Sequence, residues 1–481
     1  MLIVLALIGY FIVLTTYSHL ITGKGGNDDF YRGSNKSPWY LVAFGMIGAS
    51  ISGVTFVSVP GMVNNIGMTY MQTCLGFIVG YVIVAFLLLP IYYNLKLTTI
   101  YSYLDRRLGK GAYKTGASFF LLSRMTGSAV RFYIVCIIIQ KYVFDGVGIP
   151  FPITVLMLVF LIWIYTRKGG IKTLVWTDTF QTISMFIALG LIIYKVMGEL
   201  NLDLPGTISA IASDERSRWF VFDDAVSKQY FWKQFLSGVF IVIVMTGLDQ
   251  DMMQKNLTCK SLRDAQKDMC TYGVAFVPTN LLFLSLGILL SMLCQQQGLA
   301  LPVGDELLPM FAASGRLGEA VVVFFTIGIM AASFSSADSA LTALTTSYCI
   351  DIHEKEDDEK FRKRVHFLMT LVFAVIIIIV KAIGSTSVID AIYVICSYTY
   401  GPLLGLFLYA FFRGSDSLEV KSNKGKLWML SALCVASPII CYGLDLLTST
   451  LWNYHFGYEL LMINGLITFA GLCLLRPEKR H

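Results

Sequence analysis

Apolar stretches of twenty or more residues recur along the chain, among them "TCLGFIVGYVIVAFLLLPIYY" and "LMTLVFAVIIIIV" with its flanks. That length suits a hydrocarbon core of about 30 Å. A backbone in lipid must satisfy its own hydrogen bonds, so such stretches fold as helices. Composition agrees: only 14% of the 481 residues are charged and mean hydropathy is +0.68, against about 25% charged in a soluble chain. The pattern predicts an all-α polytopic membrane protein with about thirteen spans, near residues 2–22, 38–63, 70–95, 115–140, 150–166, 174–197, 231–250, 269–295, 318–348, 366–384, 387–412, 427–446 and 457–475. The first is expected to anchor the chain rather than be cleaved, because its nearest basic residue, Lys24, follows it.

Loop charge fixes the expected orientation. With the N-terminus outside, cytoplasmic segments carry 27 of the 37 Lys and Arg, including the group Lys255–Lys267, and outer segments carry eight. Two, Arg124 and Arg131, fall inside a span. This positive-inside bias places the C-terminus in the cytoplasm, with a bacterial plasma membrane as the expected location. It also explains the net charge of +6 without a nucleic-acid partner. Ten scattered cysteines without a CxxC pair argue against a disulfide framework or zinc. There is no Walker A motif, and the five histidines form no catalytic cluster. The chain is expected to be no enzyme and to need no obligate protein partner, only the bilayer and a small solute.

Four ionisable groups lie inside spans: Arg124, Arg131, Asp178 and Asp338. Each costs at least about 2.5–3.5 kcal/mol near the bilayer centre and must meet a partner or water. Asp338 sits in "AASFSSADSA", where Ala332, Ser335, Ser336 and Ser339 follow i, i+3, i+4, i+7 and share one helix face. These oxygens lie roughly 14–20 Å above the cytoplasmic end and suit a hard cation; close helix packing is the alternative use of such serines. Asp178, in "VWTDTFQT", lies in the same half of the membrane. The second span, "FGMIGASISGVTFVSVPGMVNN", collects glycines and a proline that permit an unwound stretch with bare carbonyls at similar depth.

"KLTTIYSYLDRRLG", "YTRKGGIKTLVWTDTFQT", "TGLDQDMMQKNLTCKSLRDAQ", "AASFSSADSA" and "YTYGPLLGLFLYAFF" together resemble the sodium/solute symporter family, which includes sodium-coupled sugar, proline and sialic acid carriers. The resemblance implies a leucine-transporter-type fold of two inverted five-helix repeats. Residues 1–37 would form a leading helix and loop, 38–197 the first repeat, 198–230 an outer loop, 231–412 the second repeat, and 413–481 two trailing helices and a tail. It implies a first Na⁺ held by the carbonyls of Gly48, Ile51 and Ala332 and the hydroxyls of Ser335 and Ser336. Some members bind a second Na⁺, which here would use Asp178, Ser335, Asp338 and Ser339. Asp338 departs from the usual small hydroxyl, so it could also share a proton with Asp178 or neutralise an arginine.

Substrate contacts implied by the resemblance are Ser50, Ser52, Thr55, Arg124, Arg131 and Asp249, the last an acid where sugar carriers have an asparagine. "SRMTG" is similar to the segment of sialic acid carriers whose arginine holds the substrate carboxylate, a task suited to a planar guanidinium fork. The expected activity is therefore Na⁺-driven uptake of a small polar solute, with a sialic-acid-like sugar acid as the leading candidate. An uncharged sugar or polyol is the alternative, with Arg124 and Arg131 confined to structural ion pairs.

Overall fold

The computed structural model describes residues 2–22, 25–302, 304–383, 388–413, 424–452, 454 and 456–475. Several cations of the loop tally, Lys24, Lys421 and those from Arg476 onward, lie outside the described residues. The described elements are helical, in the order α1 (Leu2–Thr22), α2 (Asn27–Arg32), α3 (Trp39–Ser50), α4 (Gly53–Ile66), α5 (Tyr70–Ile83), α6 (Leu89–Asn94), α7 (Ser102–Leu108), α8 (Lys110–Ile139), α9 (Phe151–Gly169), α10 (Ile171–Glu199) and α11 (Leu204–Ser213). The chain continues with α12 (Phe231–Val242), α13 (Gln250–Asn256), α14 (Leu262–Gln296), α15 (Leu307–Ala312), α16 (Glu319–Ser347), α17 (Glu359–Ile383), α18 (Val388–Thr399), α19 (Gly401–Arg413), α20 (Lys424–Trp452) and α21 (Leu460–Leu474).

Among the described residues nine helices are long and apolar enough to cross a membrane, or eleven when two bent pairs each count as one span. One of the nine runs from Gly53 to Asn94, about twice the length a bilayer needs. Gly67, at φ 60° and ψ −147°, interrupts it. Splitting there and joining α3 to α4 gives two crossings, and α21, fifteen residues long, supplies a short last one. The thirteen expected segments are thus each represented by helix, with broken and short pieces where a length rule fails.

Two of these helices break deep in the bundle. α3 stops where Ile51 (φ −78°, ψ 63°) and Ser52 (φ −59°, ψ 172°) leave helical geometry, before α4 resumes at Gly53. α12 ends in a π-turn over Ile243–Gly247, and α13 leaves it at 69°. Asp249 caps α13 by accepting the Asp251 N–H at 2.8 Å. Chain breaks of this kind are tolerated at membrane depth only where protein or a cavity surrounds them.

Small residues bring the break against its neighbours. α3 packs along α10, and α10 along α16. A Cβ at Gly48 would overlap the Thr182 hydroxyl, and one at Gly53 would overlap that of Ser333. α16 is buried continuously from Gly328 to Ser347, which makes it the central post of the bundle.

The two ends of the bundle differ. At the end with the Lys- and Arg-rich loops, Asp351 accepts from Tyr113 at 2.9 Å and Ser347 at 2.5 Å, and from Thr99. Arg32 reaches Glu356 at 2.5 Å and Thr98 at 2.7 Å. Lys110 bonds Glu354 at 2.9 Å and holds that carboxyl below its ordinary range. At the opposite end a vestibule of ≈ 420 Å³ opens between α4, the segment before α12, α18 and α21.

A methyl group at Gly48 should cost about 1–3 kcal/mol as overpacking. Gly190, with nothing within 4 Å of an added Cβ, is the control. Thermal unfolding of purified protein should show Gly48→Ala destabilised and Gly190→Ala unchanged or slightly stabilised.

Candidate functional site

Two polar regions flank the break in α3–α4. The first lies between α3, α10, α13 and α16. Ser335 donates to Asp178 Oδ1 at 2.6 Å, and the Lys255 ammonium sits 2.6 Å from Asp178 Oδ2. Both charged side chains are 1% exposed. Asp338 accepts from Tyr165 at 2.7 Å and from Ser339 at 3.3 Å, while Ser339 also bonds back to the Ser335 carbonyl at 2.8 Å. Ser336 is buried, and its hydroxyl has no hydrogen-bond partner among the described residues. On α3 the regular bonds end with Ile51 N–H to the Ile47 carbonyl at 2.9 Å. The next turn starts only with Phe56 N–H to Ser52, at 3.3 Å. The break therefore bares backbone oxygens on the helix that α16 packs against.

Lys255 was expected in a cytoplasmic loop, and the structure places it inside. The span expected to end near residue 250 continues through α13, whose residues are all buried. Hydrophobic patterning could not show this, because Gln250, Asp251, Gln254, Lys255 and Asn256 are each matched by a specific partner rather than by lipid. Gln254 donates to the Tyr31 carbonyl at 2.8 Å, and Asn256 to Asp268 at 2.5 Å. The available signal was the density of acids and amides in "TGLDQDMMQKN", too polar for lipid and too close to a span to be free.

The second region lies between α3, α5, α8, α12 and α14. A cavity of ≈ 80 Å³ is lined there by Ser50, Arg124 and Arg131 and by the rings of Phe77, Tyr81, Tyr272, Phe276 and Tyr393. Ser50 and Tyr272 share a hydrogen bond, and Tyr81 donates to Tyr272 at 2.7 Å. Ser52 and Thr55, the other hydroxyls expected at the solute, are buried without lining this cavity.

The two arginines differ in their partners. Arg124 lies 3.4 Å from Asp249 and forms a second, shorter ion pair with Asp251. Asp249 also accepts from Tyr400. Arg131 has no carboxylate partner among the described residues. Neither arginine pairs with Asp178 or Asp338, so Lys255, Asp249 and Asp251 supply pairings that the four-charge inventory lacked.

The sodium:solute symporter family model matches residues 30–415. The chain belongs to this family. It is an integral membrane, sodium-coupled symporter of the same type as its relatives. The sodium/sialic acid symporter NanT of Aliivibrio fischeri is 24% identical over 436 residues, covering 84% of this chain and 83% of that protein. Human sodium-coupled monocarboxylate transporter 1 is 23% identical over 425 residues, 85% of this chain and 67% of the relative. A substrate-bound, outward-open structure of a Na⁺-coupled sialic acid symporter superposes with a TM-score of 0.79 at 18% identity, covering 99% and 98% of the two chains. The symporter thus has the expected leucine-transporter-type fold.

Removing the guanidinium of Arg124 leaves two buried carboxylates facing each other. Arg124→Ala should lose about 3–5 kcal/mol of stability. The further change Asp251→Asn should recover part of it, and thermal unfolding of single and double variants checks both.

Proposed function

We propose that the symporter couples one inward-moving Na⁺ to uptake of a small solute bearing a carboxylate, with a sugar acid of the sialic acid class as the leading candidate. The ion would sit at the break in α3, on the carbonyls of Gly48, Ile51 and Ala332 and the hydroxyls of Ser335 and Ser336. The unpartnered, buried Ser336 hydroxyl supports this reading, since a buried polar atom without a partner costs stability unless something fills the gap. Ser335 can serve as well, because its proton points to Asp178 while its lone pairs stay free.

For the solute, Arg131, which has no carboxylate partner among the described residues, carries the proposal. A guanidinium without a counter-charge is costly in the membrane interior, and here it faces a cavity walled by aromatic rings. A carboxylate would complete it bidentately while the rings cover the apolar face of the solute. Arg124, the arginine expected to do this from the sequence, has its fork taken up by Asp249 and Asp251 and would position the wall instead. The same pairing favours the second reading, an uncharged sugar or polyol, if Arg131 too acts only through the local field.

Alternating access would draw on the asymmetry of the two ends. The cavity is well below the roughly 300 Å³ of ordinary ligand pockets, so loading requires a wall to move. Tyr393 lines the cavity and bonds Tyr70 at 2.9 Å, while Val394, the next residue, lines the outer vestibule. α18 is thus the partition between vestibule and cavity. Its withdrawal would admit solute while the Asp351 and Arg32 contacts hold the other end shut.

Uptake into proteoliposomes should require an inward Na⁺ gradient and stop when K⁺ replaces Na⁺; full uptake without Na⁺ would end the reading. Ser336→Ala should raise the Na⁺ concentration for half-maximal uptake several-fold. Arg131→Lys should weaken a sugar acid about 10²-fold, equivalent to a few kcal/mol of lost bidentate contact, while sparing its neutral parent sugar. Equal binding of acid and neutral sugar by the unmodified protein would favour the uncharged-solute reading.

A further inference from the structure

We infer that the ammonium of Lys255 is a built-in cation that occupies the second cation position, so that only one Na⁺ binds per protein. The inference rests on the reading of the chain as a Na⁺ symporter and concerns the ion-to-protein ratio.

Four side chains would have to supply a second Na⁺: Asp178, Ser335, Asp338 and Ser339. The carboxylates among them are already engaged. Asp178 holds Lys255 Nζ on Oδ2 and the Ser335 hydroxyl on Oδ1, both at 2.6 Å. Asp338 holds Tyr165 at 2.7 Å, and Ser339 is turned back onto its own helix at 2.8 Å. A Na⁺ and an ammonium want the same carboxylate lone pairs, and here the ammonium is covalently delivered.

The delivery is fixed by α13. Gln250 accepts from the Ile100 N–H at 2.9 Å, Gln254 donates to Tyr31, and Asn256 donates to Asp268. Three amide side chains thus pin the turn that carries Lys255, which leaves its Nζ little freedom to swing away. Formal charge points the same way. Lys255 already neutralises Asp178 at 2.6 Å, so Asp178 keeps no uncompensated charge to attract a second ion. With two ions the region would carry a net positive charge out of reach of solvent, which is costly.

The count of bound radioactive Na⁺ per purified full-length protein in lipid nanodiscs tests this. The unmodified protein should bind one ion. Lys255→Ala, which leaves Asp178 uncompensated, should bind two, with the Hill slope of the Na⁺ dependence rising from about one to about two. Lys255→Arg should stay at one. If Lys255→Ala does not fold, Lys255→Met keeps the packed stem without the charge and should also bind two. Two ions on the unmodified protein overturn the inference, as does one ion on both the unmodified protein and a folded variant lacking the charge. No Na⁺ bound to the unmodified protein would instead overturn the symporter reading itself.

Discussion

Charge without water is the constraint on which this structure turns. Nothing in the hydrocarbon core can solvate an ion, so every buried ionisable side chain has to be matched from within the protein. The symporter meets this with two separate sets on opposite flanks of one broken helix. Arg124 is matched by Asp249 and Asp251 on one flank, and Asp178 by Lys255 on the other. Among the described residues, the groups left unmatched include the Ser336 hydroxyl and, lacking a carboxylate, the Arg131 guanidinium. Both border the break, where transported ion and solute would have to meet.

The break itself depends on packing. Helix α3 can end at Ile51 because Gly45 and Gly48 let it lie against α10 without side chains in the way. α16 closes the other side with a row of serines and alanines. The second broken helix, α12–α13, turns by 69° around Asp249 and carries both Asp251 and Lys255 into the bundle. One irregular segment therefore feeds both charge sets. The proposed ion and solute sites, joined through such an element, can be coupled energetically, since a shift of α13 would disturb Arg124 and Asp178 together.

Much of this was legible in the sequence, for definable reasons. Apolar length placed the thirteen segments, because lipid leaves helix as the only choice. The i, i+3, i+4, i+7 spacing of Ala332, Ser335, Ser336 and Ser339 put one face on α16, and the glycines of the second span marked the break. Pairing was not legible. Lys255 and Asp251 read as a loop, because no periodicity distinguishes a solvated charge from one matched by a residue more than seventy positions away. The division of labour between Arg124 and Arg131 was likewise hidden: both sit on one face of α8, and only the approach of α13 separates them.

An experimental structure determined in saturating Na⁺, compared with one in K⁺, tests the central claim most directly. The account predicts a single Na⁺-dependent density among the oxygens of Gly48, Ile51, Ala332, Ser335 and Ser336, with Lys255 still on Asp178. Density between Asp178 and Asp338 with Lys255 displaced, or no density at the break in α3, would contradict it.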